Sequence, residues 1–183
     1  YESNGTFRPA QDAAKILLKK RYSSVVYCPA SDERTPGAMY PRCIVLEHNG
    51  EKNGTLLATF ECYTHSEPVF PIYESTDRAE SWHLKSRIED LETHLGCRYQ
   101  PHLYELPADC GGLKEGTLLC AGNIIPDDFS TTSLRLYKSE DAGESWSYVS
   151  EIVSGGFAGV DIDKPDEQRP VWEPFITLTP DGR

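Results

Sequence analysis

The stretch VWEPF, Val171 to Phe175, sets a carboxylate between a tryptophan and a proline at the mouth of an apolar run. Walled by Trp172 and Phe175, Glu173 is placed like a proton donor or a nucleophile rather than a solvated charge. Two earlier apolar runs open in a comparable way, PRCIVLE from Pro41 and YQPHLYE from Tyr99. Aligned on those runs, Arg42, Gln100 and Glu173 share a column: a cation, an amide and a carboxylate. Tyr40, Tyr99 and Trp172 flank it. Aromatic faces around converging polar groups suit a sugar, whose ring stacks and whose hydroxyls hydrogen-bond. The plainer alternatives are a buried Arg42–Glu173 bridge and a Gln100 that only satisfies main chain.

Loops supply further candidates. ECYTHSEPVF (Glu61–Phe70) carries His65 and Glu67, and GNIIPDDFSTT (Gly122–Thr132) carries Asn123, Asp127 and Asp128. Asp127 or Asp128 would hold a sugar hydroxyl, unless PDD is simply a turn with solvated carboxylates. The six cysteines form no CxxC pair, so no zinc or redox motif is supported. No metal or cofactor is implied. A net charge of -11 disfavours nucleic acid as a partner. No apolar run reaches the ~18 residues of a membrane span. Two sequons, Asn4-Gly5-Thr6 and Asn53-Gly54-Thr55, and an even cysteine count lead us to expect a secreted glycoprotein.

These side chains need a scaffold, and the sequence repeats one. YESTDRAESW (Tyr73–Trp82) recurs as YKSEDAGESW (Tyr137–Trp146), and GTLLATF (Gly54–Phe60) as GTLLCAG (Gly116–Gly122). Each unit reads as four short strands: an inner strand, the GTLL strand, a Tyr strand running into a Ser-x-Asp turn, and a strand opened by Trp. Asp77 and Asp141 should accept main-chain bonds inside their turns. Trp82 and Trp146 should fill space between sheets. Gly143 suits a left-handed position at which the first copy has Ala79. Helical signal is confined to Ala10–Lys20 and about one turn in Ser86–Leu95. Repeated four-stranded units predict an all-β fold, a β-propeller. Its ligand end would carry the mouths of the inner strands and the loops between second and third strands.

Ser75-x-Asp77…Trp82 and Ser139-x-Asp141-x-Gly143-x-x-Trp146 resemble the Asp-boxes of sialidase-like (BNR-repeat) propellers. With YPR…GTLLATF, FPIYESTD, RYQPHLYELP, IPDD and PVWEPF, the pattern from Tyr40 to Arg183 resembles glycoside hydrolase family 93. That resemblance implies a six-bladed propeller and a retaining, exo-acting arabinanase with two catalytic glutamates. Glu173 matches one, and acid/base is the role we favour for it. The other is expected outside this sequence. The layout expected is an extension over 1–39, with a short helix and a possible ring-closing strand. Blades follow at about 40–97 and 98–170, and a third opens at 171–183. The rest of the ring would come from further sequence or a second chain. The competing functions are a sialidase, for which Arg42 stands in place but Gln100 and Glu173 fit poorly, and a non-catalytic propeller that binds glycans or a protein.

Overall fold

The computed structural model describes residues 24–32, 35–63, 67–159, 163 and 168–179. The helix expected over Ala10–Lys20, the Asn4 sequon and His65 lie outside them. The described residues form two four-stranded antiparallel sheets, each a plain meander. The first holds β1 (Ala38–Val45), β2 (Leu56–Cys62), β3 (Phe70–Ser75) and β4 (His83–Ile88). The second holds β5 (Cys97–Glu105), β6 (Leu118–Ile124), β7 (Thr132–Ser139) and β8 (Ser147–Gly155). The helical turn expected in Ser86–Leu95 is instead the end of β4 followed by a turn. Asp90 organises that turn by accepting from the Thr93 hydroxyl at 2.5 Å and the Leu95 N–H at 3.0 Å.

Stacking of the sheets dictates which strands are apolar. β2 is buried after its first residue and β6 along its whole length, whereas β4 and β8 are largely exposed. β5 packs on β1 and β2, so one sheet's inner strand sits against its predecessor. The shared core joins Leu57, Phe70 and Ile88 to Cys97, Leu118 and Ile124. Gly122 is needed there: a Cβ on it would lie 2.2 Å from the Phe70 ring, which rests directly on the β6 main chain. Among the described residues no disulfide joins the cysteines.

Polar clamps fix the relative placement of the sheets. Glu105 of the second sheet accepts the main-chain N–H groups of Glu47 (2.7 Å) and His48 (3.0 Å) in the first sheet's β1–β2 turn. Arg135 reaches Asp90 at 2.6 Å, both buried.

The Ser-x-Asp turns have one geometry twice. The Ser75 and Ser139 hydroxyls each donate to the aspartate two residues on, at 2.7 Å. Each aspartate then accepts the N–H of Ser81 or Ser145 at 2.9 Å. The Ser81 hydroxyl and N–H hold the Asp77 carboxyl well below the usual range. Burial raises that of Asp141, but bonds from Ser145 and Ser139 outweigh it and bring it down to about 2. Ala79 adopts φ 68° where its counterpart Gly143 has φ 88°.

Each turn is also latched backwards. The Trp146 indole donates to the Ser86 hydroxyl of the preceding sheet at 3.1 Å, and Ser86 donates to the Gly143 carbonyl at 2.5 Å. The Trp82 indole donates in the same way to Ser24, which donates to the Ala79 carbonyl at 2.5 Å. Ser24 thus does for the first sheet what Ser86 of β4 does for the second. Val26 and Tyr27 beside it pack on Phe60 and Cys62.

Candidate active site

The mouths of the inner strands are irregular in a repeated way. β1 slips register between Met39 and Arg42, and β5 between Arg98 and His102. Left-handed residues fill the slips: Tyr40 (φ 54°), Tyr99 (φ 52°) and Gln100 (φ 34°). Glu173 has φ 52°. Tyr40, Gln100 and Glu173 each immediately precede a proline. Residues before proline favour extended backbone, and non-glycine residues avoid this region at a cost of roughly 1–3 kcal/mol. The proline therefore does not hold Glu173 extended, as its type alone implies; it follows a sharp turn that re-aims the side chain.

This geometry corrects the column read from the sequence. Arg42 pairs with Thr59 and His102 with Ala121, so Arg42 belongs with His102, and the residues before proline form the column Tyr40, Gln100, Glu173. Alignment on apolar runs missed this because β5 carries one more residue in its bulge than β1. Phe175 continues the Arg42–His102 series, its ring 4.9 Å from the His102 imidazole. Burial lowers the His102 pKa, and the Arg42 charge lowers it further.

Three aromatic residues meet at this mouth. Tyr40 lies edge-on to Tyr99 at 5.7 Å, and Tyr99 edge-on to Trp172 at 5.5 Å. This chain of rings links β1, β5 and the segment that follows the second sheet. Glu173 is exposed beside it, and so is Arg42, which donates to the Pro41 carbonyl at 3.0 Å. Arg42 and Glu173 form no ion pair among the described residues. Gln100 is buried, and its Oε1 has no partner among the described residues.

Beneath the mouth lies a buried charge cluster that the sequence reading passed over. Glu61, fully buried, accepts the Tyr99 N–H at the bend. Burial pushes its carboxyl up, against the pull of the Tyr99 N–H, the Tyr63 hydroxyl and the Arg98 charge. The Arg98 side chain is 1% exposed, donates to the Ile125 carbonyl at 2.6 Å and pairs with Asp127. Asp127 is therefore engaged by an arginine. Asp128 accepts the Ser130 N–H at 2.9 Å, as a turn residue would. Glu67 faces His94 at 3.4 Å on the surface. Asn123 is fully buried in β6, and neither atom of its carboxamide has a partner among the described residues. The available signal for Glu61 was a carboxylate sixth in LLATFEC, in step with Leu57 and Thr59.

Among the described residues, no group of three or more His, Cys, Asp or Glu is arranged to hold a metal ion. No helix there is long and apolar enough to cross a membrane.

Comparison with known proteins places this arrangement. No family model matches the chain, and no curated protein does. Solved structures do. An arabinofuranosidase of glycoside hydrolase family 93 from Fusarium graminearum, in complex with arabinobiose, is 39% identical with a TM-score of 0.73. The match covers 82% of this chain and 40% of that one. An α-L-arabinanase of Penicillium chrysogenum, also complexed with arabinobiose, is 41% identical with a TM-score of 0.75, over 85% of this chain and 42% of that one. The class of the matched structures is that of the glycoside hydrolases. Within it, the chain is related to the arabinofuranosidases and arabinanases of glycoside hydrolase family 93. It spans about two fifths of the length of these relatives.

Proposed function

We propose that this chain is part of a retaining, exo-acting glycoside hydrolase that cleaves arabinan-type polysaccharide or oligosaccharide. The observation that carries the proposal is the bend at Glu173. An exposed carboxylate is held on a costly left-handed backbone beside the Tyr40–Tyr99–Trp172 rings, in a chain related to enzymes seen with arabinobiose.

In this reading Glu173 is the general acid/base. It protonates the leaving oxygen and then takes a proton from the water that resolves a glycosyl-enzyme intermediate. The nucleophilic carboxylate comes from a part of the protein outside this sequence. The aromatic rings stack on sugar, while Arg42 and Gln100 bond its hydroxyls. The scaffold is a six-bladed sialidase-like ring whose Ser-x-Asp turns are Asp-boxes. The Ser24 latch supports a ring-closing role for the segment around it. Secretion is part of the proposal, and Asn53 is exposed in a tight turn where a glycan could attach.

The test is Glu173→Gln in the full-length protein, assayed for release of short products from linear arabinan. We expect kcat to fall by at least about a hundredfold, the scale on which general acid–base catalysis contributes. Full activity in the variant would refute the assignment. Binding without hydrolysis by the unaltered protein, across arabinan and sialoside substrates, would favour a non-catalytic module.

A further inference from the structure

The two sheets carry the same device at the mouth of the next inner strand, in two chemical versions. Glu61 is the sixth residue of β2 and Asn123 the sixth of β6. Met39 pairs with Glu61, and Arg98 with Asn123, at the same point of the two sheets. Glu61 accepts the N–H of Tyr99, two residues before Pro101. The corresponding N–H in the segment that follows the second sheet is that of Trp172, two residues before Pro174.

The surroundings change together. In the first version the buried carboxylate is answered by Arg98 and Tyr63. Tyr63 donates its N–H to Gly37 as Ile125 does to Gly96, so Ile125 takes the place of Tyr63. Val171, which precedes Trp172, takes the place of Arg98, which precedes Tyr99. With cation and hydroxyl both gone, a carboxylate at position 123 would be buried without a counter-charge, and the chain has an amide there instead. That amide is 0% exposed with both polar atoms unpartnered, which a native interior rarely tolerates.

We infer that Asn123 is a positioning residue for Glu173: in the complete protein its carboxamide oxygen takes up the Trp172 N–H, a bond not made among the described residues, and secures the left-handed bend that aims the carboxylate. This rests on the catalytic reading of Glu173 and gives Asn123 a main-chain partner rather than a sugar.

The experiment uses the full-length protein. Asn123→Ala removes the acceptor. It should lower kcat on linear arabinan by about 10- to 100-fold while KM changes little, since misaiming costs rate rather than binding. Asn123→Asp keeps an acceptor oxygen but buries a carboxyl. It should recover most of kcat while melting no higher than the alanine variant, a divergence that a merely structural role would not produce. If kcat instead follows melting temperature through both variants, or alanine leaves kcat intact, the inference fails. A crystal structure of the unaltered protein judges it without activity: the Asn123 oxygen within hydrogen-bond reach of the Trp172 nitrogen supports it, and an Asn123 bonded only to sugar overturns it. Retained activity in Glu173→Gln would sink the functional reading alone, and this second arm would still decide the contact.

Discussion

Ala79 takes the same left-handed backbone as Gly143 with none of glycine's freedom. Left-handed alanine is disfavoured by roughly 1–2 kcal/mol, so Ala79→Gly should stabilise the protein by about 1 kcal/mol in chemical denaturation. No gain would mean that the first turn relaxes in a way the second does not. Asp141 gives a prediction in pH. Its folded pKa of about 2 lies below the ordinary carboxyl value, so its contribution is present above pH ~4 and lost as pH falls toward 2. Asp141→Asn should lower stability at neutral pH and flatten the acid limb between pH ~4 and ~2. An unchanged limb would remove the turn from the acid response. These turns were legible in the sequence because their serine and aspartate side chains bond to groups only two to four residues away. Glu61 was marked only by its step with Leu57 and Thr59, and Arg98 not at all: their burial is imposed by a neighbouring sheet.

At the scale of the elements, the sheets lean on each other through close main-chain approach as much as through side chains. Gly122→Ala would drive a methyl into the Phe70 ring, and one of two buried surfaces must yield. The expected loss is roughly 1–3 kcal/mol, read as a lower melting temperature, with the additional truncation Phe70→Leu restoring part of it. A melting temperature equal to that of the parent would mean the sheets are not stacked this tightly. Four-stranded units and their order were readable from the GTLL and Ser-x-Asp repeats. The register of the inner strands was not, because a bulge changes the count without changing the apolar run. The proline after each bend was the better marker: it aligns Tyr40, Gln100 and Glu173 directly.

At the scale of the molecule, the two sheets and the segment that follows them leave apolar surface uncovered. Val149, Ile152 and Val153 on β8 are exposed, and Phe175 is 77% exposed. Surface of this kind is ordinarily covered by a neighbour. A polypeptide limited to these 183 residues should therefore bind a hydrophobic dye such as ANS and self-associate, and the full-length protein should not. Dye binding equal in the two would argue against a further sheet on that side.

The backward latches have a use for the experimenter. The Trp146 indole N–H is tied not to its own sheet but to Ser86 of the one before, and the Trp82 indole to Ser24. In a proton-exchange measurement each ring is a gauge mounted across a seam. The Trp146 signal times the parting of the two sheets, and the Trp82 signal times the release of the segment around Ser24. Among the described residues the Trp172 indole has no such tether, and it stands beside Tyr99, so its fluorescence is free to follow a sugar arriving at the mouth.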